Sequence, residues 1–260
     1  MLVSHYSAIA SPAPDFALLV AATGVAALVV GFLRTSIGGG IGLVLTPTLS
    51  LVLPPSVVLA LIAPLMNLSD PLTLRYYWRQ WDRRQLALLL PSMMAGVVLG
   101  TWALSQLSEY WLGKAIGAVA LCFGLLQLVL TGRNQRLLSV RPHWSAGAAA
   151  GLTAGVASTV AHSGGVVVSI YLVNVHLTKT AMLATGNALY ILPNVLKLAG
   201  YWSIGFLTAS ILAAAALAVP LLFAGTWLGY RVNQRLPRRA FELALVIIAL
   251  AGACRLLLRS

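Results

Sequence analysis

Acidic side chains are nearly missing from this chain, which has five Asp and Glu residues in 260. Charged residues of both signs reach 8%, where a soluble domain carries about 25%. So little charge cannot cover a water-facing surface, which excludes a soluble globular domain. Cysteine is equally scarce. Cys122 and Cys254 lie inside apolar segments and read as small buried hydrophobes, so neither a disulfide framework nor a cysteine metal site is expected. The four histidines show no ligand spacing, and no metal or other cofactor is called for. No Walker-type phosphate loop occurs, so ATP cannot drive the protein directly. The N-terminal MLVSHYSAIASPAPDF lacks a basic n-region, so a cleaved signal peptide is not expected.

What the chain does have is apolar length. Hydrophobic residues make up 60% of it, mean hydropathy is +0.91, and Leu43–Ser69 and Ile204–Tyr230 contain no charge at all. Runs of 18 or more apolar residues read as transmembrane helices, so the class is a polytopic membrane protein with the lipid bilayer as a partner. The net charge of +12 is no nucleic-acid signal, because the arginines fall in short loops between apolar segments.

Breakers and charges divide the chain into ten segments: 16–33, 38–53, 56–75, 85–105, 111–131, 143–160, 164–176, 180–200, 204–229 and 239–257. The seventh is short for a core of ~30 Å, which needs about 20 helical residues, and suggests a half-helix or re-entrant segment. One offset relates two sets of motifs. Gly39-Gly40 recurs 125 residues later as Gly164-Gly165, and Gly100-Thr101-Trp102 recurs at the same offset as Gly225-Thr226-Trp227. The chain therefore reads as two homologous halves of five segments, with boundaries 1–15 (outer tail), 16–131 (first repeat), 132–142 (cytoplasmic linker) and 143–260 (second repeat).

Five is odd, so the second half is expected to enter the membrane inverted. Arg75, Arg79, Arg83 and Arg84 follow segment three, whereas the matching YWSIGF is uncharged; after segment nine stand Arg231, Arg235, Arg238 and Arg239, where the first half has SQLSEYW. Ten crossings with both termini outside place 13 of the 17 basic residues, Arg34 among them, on the cytoplasmic side. If segments two and seven did not cross, the split would be 10 against 7. Inverted repeats of this kind are a transporter architecture with the substrate near the midplane.

The glycines invite a local explanation. Three in a row, Gly38 to Gly40, weaken a helix by roughly 1 kcal/mol each relative to alanine. Thr35, Ser36, Gly38, Gly39 and Gly40 are the symmetry mates of the stretch holding His162, Ser163, Gly164 and Gly165. Each joins the first span of a half to a short second one. Glycine permits a tight turn and close ligand approach, and the helix that follows starts with free N–H groups and a partial positive charge. Two such starts entering from opposite sides would face one anion. The plainer alternative is a small-residue packing face, common where membrane helices cross.

These stretches resemble a known family. GFLRTSIGGGIGLVLTP (Gly31 to Pro47), AHSGG (Ala161 to Gly165) and the paired GTW motifs are similar to the TauE/SafE sulfite and organosulfonate exporters, over nearly the whole chain. The resemblance implies an all-α transporter of the bacterial cytoplasmic membrane that exports a small sulfur oxyanion or sulfonate such as sulfoacetate. The second half departs from the family pattern, with Val166-Val167-Val168 and Leu172 where further Gly and Pro are usual. That departure bears on whether segment seven breaks as segment two does.

Ionisable and amide residues inside spans are costly and usually face a cavity or partner. Asp70 lies in segment three and Lys197 in segment eight. Counting residues from the segment ends separates them by roughly 10–15 Å along the membrane normal, which suggests separate roles. Lys197 would draw an anion, while Asp70 would carry a proton or close a gate. Against this stands the alternative that Lys197 snorkels to headgroups and Asp70 pairs with Arg75. Asn67, Asn187 and Asn194 are candidates for hydrogen-bonding substrate, and His162 for proton coupling. The tryptophans read as interfacial belts.

The expectation is a secondary carrier of a small anion, not an enzyme. A homodimer is compatible with it. Two alternatives come from other classes. An intramembrane hydrolase on His162-Ser163 fails on geometry, because adjacent residues do not readily make a nucleophile–base bond. A passive anion channel shares every sequence feature, and a non-sulfur carboxylate is an alternative cargo.

Overall fold

In a bilayer every backbone N–H and C=O needs a partner within the chain, and a single apolar run meets that need only as a helix. The computed structural model describes residues 15–36, 41–132, 143–175, 177–233 and 238–258. Among the described residues every regular element is helical: α1 (Phe16–Ser36), α2 (Ile41–Leu49), α3 (Pro55–Tyr76), α4 (Arg83–Ser105), α5 (Glu109–Gly132), α6 (Trp144–Ala161), α7 (Gly164–Val173), α8 (Lys179–Ser203), α9 (Ala209–Leu217), α10 (Val219–Asn233) and α11 (Arg238–Leu258). Four of them, α1, α3, α4 and α5, are each long and apolar enough to cross a bilayer, and α9 with α10 makes a fifth if taken as one span. The chain is an all-α, multi-pass membrane protein.

Local chemistry sets the helix starts. Asp82 accepts the Gln85 N–H at 2.9 Å to open α4, and Thr178 accepts that of Ala181 at 3.2 Å to open α8. Pro55 occupies the first turn of α3, where a missing N–H costs nothing.

One segment differs from the sequence expectation. The ninth is two helices bent by 48° at Ala218 rather than one. Pro220 removes an N–H from the ladder and its ring crowds the preceding turn, which accounts for a sharp bend there. The helical parts of segments two and seven have nine and ten residues, about 14 and 15 Å long at 1.5 Å per residue. Each is half a bilayer core. The valines of α7 run as one uninterrupted helix, so the break falls before Gly164 and not within the segment.

The packing is crosswise. The two most extensive pairings are α4 with α6 and α1 with α10, each joining the fourth segment of one half to the first of the other. Glycines make these crossings close: a Cβ on Gly225 would run into the Leu28 carbonyl of α1, and one on Gly100 into the Thr159 side chain of α6. Thus both GTW glycines do the same job at equivalent crossings. Trp102 and Trp227, their neighbours, lie exposed on the outer surface, as do Trp78, Trp111, Trp144 and Trp202. Cys122 and Cys254 are also exposed, on the apolar outer face, and not buried as their apolar segments suggested. Hydropathy alone does not distinguish a lipid-facing position from a core one.

At the centre stands α3, buried on all sides from Val58 to Met66. A helix that is apolar all round belongs in the middle of a bundle. It packs on α8 and α1, and its polar second half meets theirs.

Candidate functional site

Eight polar side chains that hydropathy would keep out of lipid lie where α1, α3, α6 and α8 come together. Arg34, in the last turn of α1, is 6% exposed and forms an ion pair with Asp70 of α3. The other carboxylate oxygen, Asp70 Oδ2, accepts from Asn194 Nδ2 of α8 at 2.7 Å. One turn before Asp70, Asn67 donates to the Ala63 carbonyl at 3.0 Å and across to the Asn194 carbonyl at 3.2 Å. Asn194 is therefore bonded to α3 through both backbone and side chain.

One turn along α8 lies Lys197, fully buried. Its Nζ is 3.0 Å from His162 Nδ1 and 3.3 Å from Ser158 Oγ. His162 Nε2 lies 3.1 Å from the Leu59 carbonyl of α3. A carbonyl only accepts, so Nε2 carries a proton, and Nδ1 is then free to accept from the Lys197 ammonium. Another turn on, Tyr201 donates to the Thr159 carbonyl and sets its ring edge-on to His162.

The backbone around His162 is unusual. It caps α6 with φ +52°, a left-handed conformation rare outside glycine but more accessible to His and Asn than to most residues. Ser163, which precedes α7, does not cap it: its hydroxyl donates to the Ala161 carbonyl at 2.9 Å. The first amides of α7 thus lack the side-chain acceptor that usually closes a helix N-terminus. The first turn of α2 rests on the same place. A Cβ on Gly42 would collide with His162, and Thr46 Oγ1 donates to the Ala161 carbonyl at 3.2 Å. Thus α2 packs on the end of α6, at the residue that pairs with Lys197 and leads into α7.

The cluster's charge and bonding are incomplete. Arg34 is neutralised by Asp70, but the partners of Lys197 are neutral groups. Arg34 Nε, Asn194 Oδ1 and the Tyr190 hydroxyl are buried and have no hydrogen-bond partner among the described residues. Tyr190 precedes Asn194 by one turn of α8 and so shares its face. Of these atoms Arg34 Nε and the Tyr190 hydroxyl can donate to an oxyanion, whereas Asn194 Oδ1 only accepts.

The family comparison agrees with the arrangement. The sulfite exporter TauE/SafE family model matches residues 23–256, from α1 to the last turn of α11. The chain belongs to the TauE/SafE family. No curated protein and no solved structure matches it.

Within this TauE/SafE chain, the residues expected from sequence fall into three groups. Asn67, Asp70 and Asn194 are hydrogen-bonded together, His162 and Lys197 form a second pair one turn further along α8, and Ser163, Gly164 and Gly165 adjoin that pair at the α6–α7 junction. Asn187 stands apart, its amide spent on the Leu183 carbonyl at 2.9 Å within α8. Thr35 and Ser36 end α1, directly after Arg34, with side chains not described, and Gly38, Gly39 and Gly40 lie outside the described residues. Gly164 also has a packing role: a Cβ there would strike the Ala154 carbonyl and Ser158 of α6.

Three expectations are corrected. Asp70 and Lys197 are not a bilayer leaflet apart, since Asp70 bonds the residue one turn from Lys197. Residue counting assumed upright helices of equal depth, and α3 and α8 cross instead. Asp70 pairs with Arg34 and not with Arg75, which is exposed; Lys197 does not snorkel but points inward to His162. Arg34 was counted as a loop cation and is a buried member of the site. Its one sequence signal is its place in RTSIGGG, a cation adjoining a glycine break. Ser158, Tyr190 and Tyr201 gave no separate signal, because hydroxyl residues are common in spans.

Proposed function

We propose that the chain is a secondary carrier that exports a small sulfur anion, sulfite or a related oxyanion or sulfonate, with the cluster around Lys197 as its binding site. Lys197 carries the proposal: it is fully buried, and its bonded partners, His162 and Ser158, bring no negative charge. A buried cation without a counter-charge is costly, and an anionic substrate would supply the missing charge. The amides opening α7 and the free Arg34 Nε add donors on the same side. The family's own description as a sulfite exporter supports sulfur anions over phosphate or carboxylate.

The crosswise packing of α4 on α6 and α10 on α1, with equivalent glycines at both crossings, supports two inverted halves and ten segments. Rocking of those halves about the α3–α8 contact would expose the site to each side in turn. The Lys197–His162 bond suits proton coupling, since one proton moving between or off these nitrogens changes the charge that holds the anion. The basic loops support the cytoplasmic membrane orientation with both termini outside.

The test is flux in proteoliposomes. Sulfite uptake should saturate with concentration and respond to an imposed proton gradient. Linear, gradient-independent flux would replace the carrier with a channel. Thermal stability gives a second readout, because a ligand at a hundred times its Kd stabilises the native state by about 2.7 kcal/mol. Stabilisation by acetate or phosphate and not by sulfite would discard the sulfur assignment while keeping the site.

A further inference from the structure

The charges of the cluster restrict its substrate beyond the carrier function on which this inference rests. The chain has five acids. Asp15 is exposed before α1, Asp82 caps α4, Glu109 bonds Ser56 at the start of α3, and Glu242 is carried by α11, a helix that packs on α5 and α2. Among the described side chains Asp70 is the carboxylate that meets a buried cation, through its ion pair with Arg34.

The cation count is bounded as well. A hydrogen bond between Lys197 Nζ and His162 Nδ1 at 3.0 Å needs a lone pair on one of the two nitrogens. The pair therefore holds at most one positive charge. Arg34 adds one and Asp70 removes one, so the excess is at most a single positive charge among buried side chains. Tyr190 and Tyr201 contribute neutral hydroxyls.

We propose that Asp70 limits the valence of the substrate: by occupying Arg34 it leaves at most one uncompensated positive charge, and the site takes a monoanion in preference to a dianion. The substrate class is then hydrogen sulfite and simple monosulfonates, rather than sulfate, fully deprotonated sulfite or a sulfonate that also bears a carboxylate. The unpartnered atoms fit this class. Arg34 Nε and the Tyr190 hydroxyl offer donors to oxyanion oxygens, and Asn194 Oδ1 offers an acceptor to an acidic hydroxyl such as that of hydrogen sulfite. A second negative charge would have to displace Asp70 from Arg34 or stay unpaired in a dry site, and both are costly.

The experiment compares methanesulfonate, a fixed monoanion, with sulfate, a dianion, binding to the full-length protein at one pH and ionic strength. Wild type should bind methanesulfonate at least about tenfold more tightly. Asp70→Asn raises the excess charge by one and should shift the ratio toward sulfate by at least about tenfold. The double variant Arg34→Gln with Asp70→Asn restores the original count without burying an unpaired charge, and should return the ratio to the wild-type side. Should Asp70→Asn not fold, wild type and the double variant decide the matter. Equal or tighter sulfate binding by wild type overturns the proposal. So does a folded Asp70→Asn protein with the wild-type ratio, or a double variant that prefers sulfate. Wild type that binds sulfite and sulfate but not methanesulfonate overturns the valence proposal alone; wild type that binds none of the three overturns the carrier function as well.

Discussion

Arg34–Asp70 and His162–Lys197 occupy comparable places in the two halves. Each links the end of a half's first helix to its third helix, α1 to α3 and α6 to α8. Their chemistry differs. The first is an ion pair and sums to zero; the second holds at most one positive charge and meets only neutral groups. At the repeat offset of 125, Arg34 corresponds to Thr159 and Asp70 to Val195, so neither pair is copied residue for residue. Comparable places in the chain thus hold one neutral ion pair and one pair without a counter-charge. In the proposed carrier the second pair is the one with charge to offer a substrate.

The largest expected effect breaks the neutral pair. Asp70→Ala strands a buried guanidinium and should destabilise the protein by about 3–5 kcal/mol, read as a drop in thermal stability in detergent. Replacing both partners, Arg34→Met with Asp70→Leu, should recover most of that loss, because no charge is then left unpaired. If the double variant is as unstable as the single one, the pair is not what holds α1 to α3.

Breaking the second pair should affect transport more than folding. Lys197→Met keeps the length and apolar stem, removes the unmatched charge, and should cut anion affinity by about 100-fold with thermal stability equal or higher. Wild-type flux in this variant would remove Lys197 from the site. A third test compares the two equivalent crossings. Gly225→Ala meets the Leu28 backbone, which cannot swing aside, and should cost about 1–3 kcal/mol of stability. Gly100→Ala meets only the Thr159 side chain and should cost less. The smallest effect belongs to Ser163→Ala. Its hydroxyl caps nothing in α7, so stability should move within about 0.5 kcal/mol and transport should persist, which also closes the hydrolase alternative.

Most of the cluster could be read in the sequence. A carboxylate, an ammonium and amides inside apolar runs are too costly in lipid to be idle, so Asp70, Lys197, Asn67 and Asn194 were visible as soon as the segments were drawn. Arg34 was misplaced for the same reason. A single cation at a segment end satisfies the positive-inside rule and looks complete as a loop charge. Asn187 shows that an amide in a span can also bond its own helix, four residues back.

The helical class, the apolar segments and the family were determined by the sequence itself, because each depends on local composition or on motifs along the chain. The partners were decided by the tertiary structure alone. Whether Asp70 meets Arg34 or Arg75, whether Lys197 turns inward to His162 or outward to headgroups, and which cysteines face lipid all depend on how helices cross. Crossing is set by small residues such as Gly42, Gly100 and Gly225, which let backbones from distant parts of the chain approach closely. A hydropathy pattern records how apolar a segment is and not which neighbour it will touch, and that physical gap is what the fold supplied.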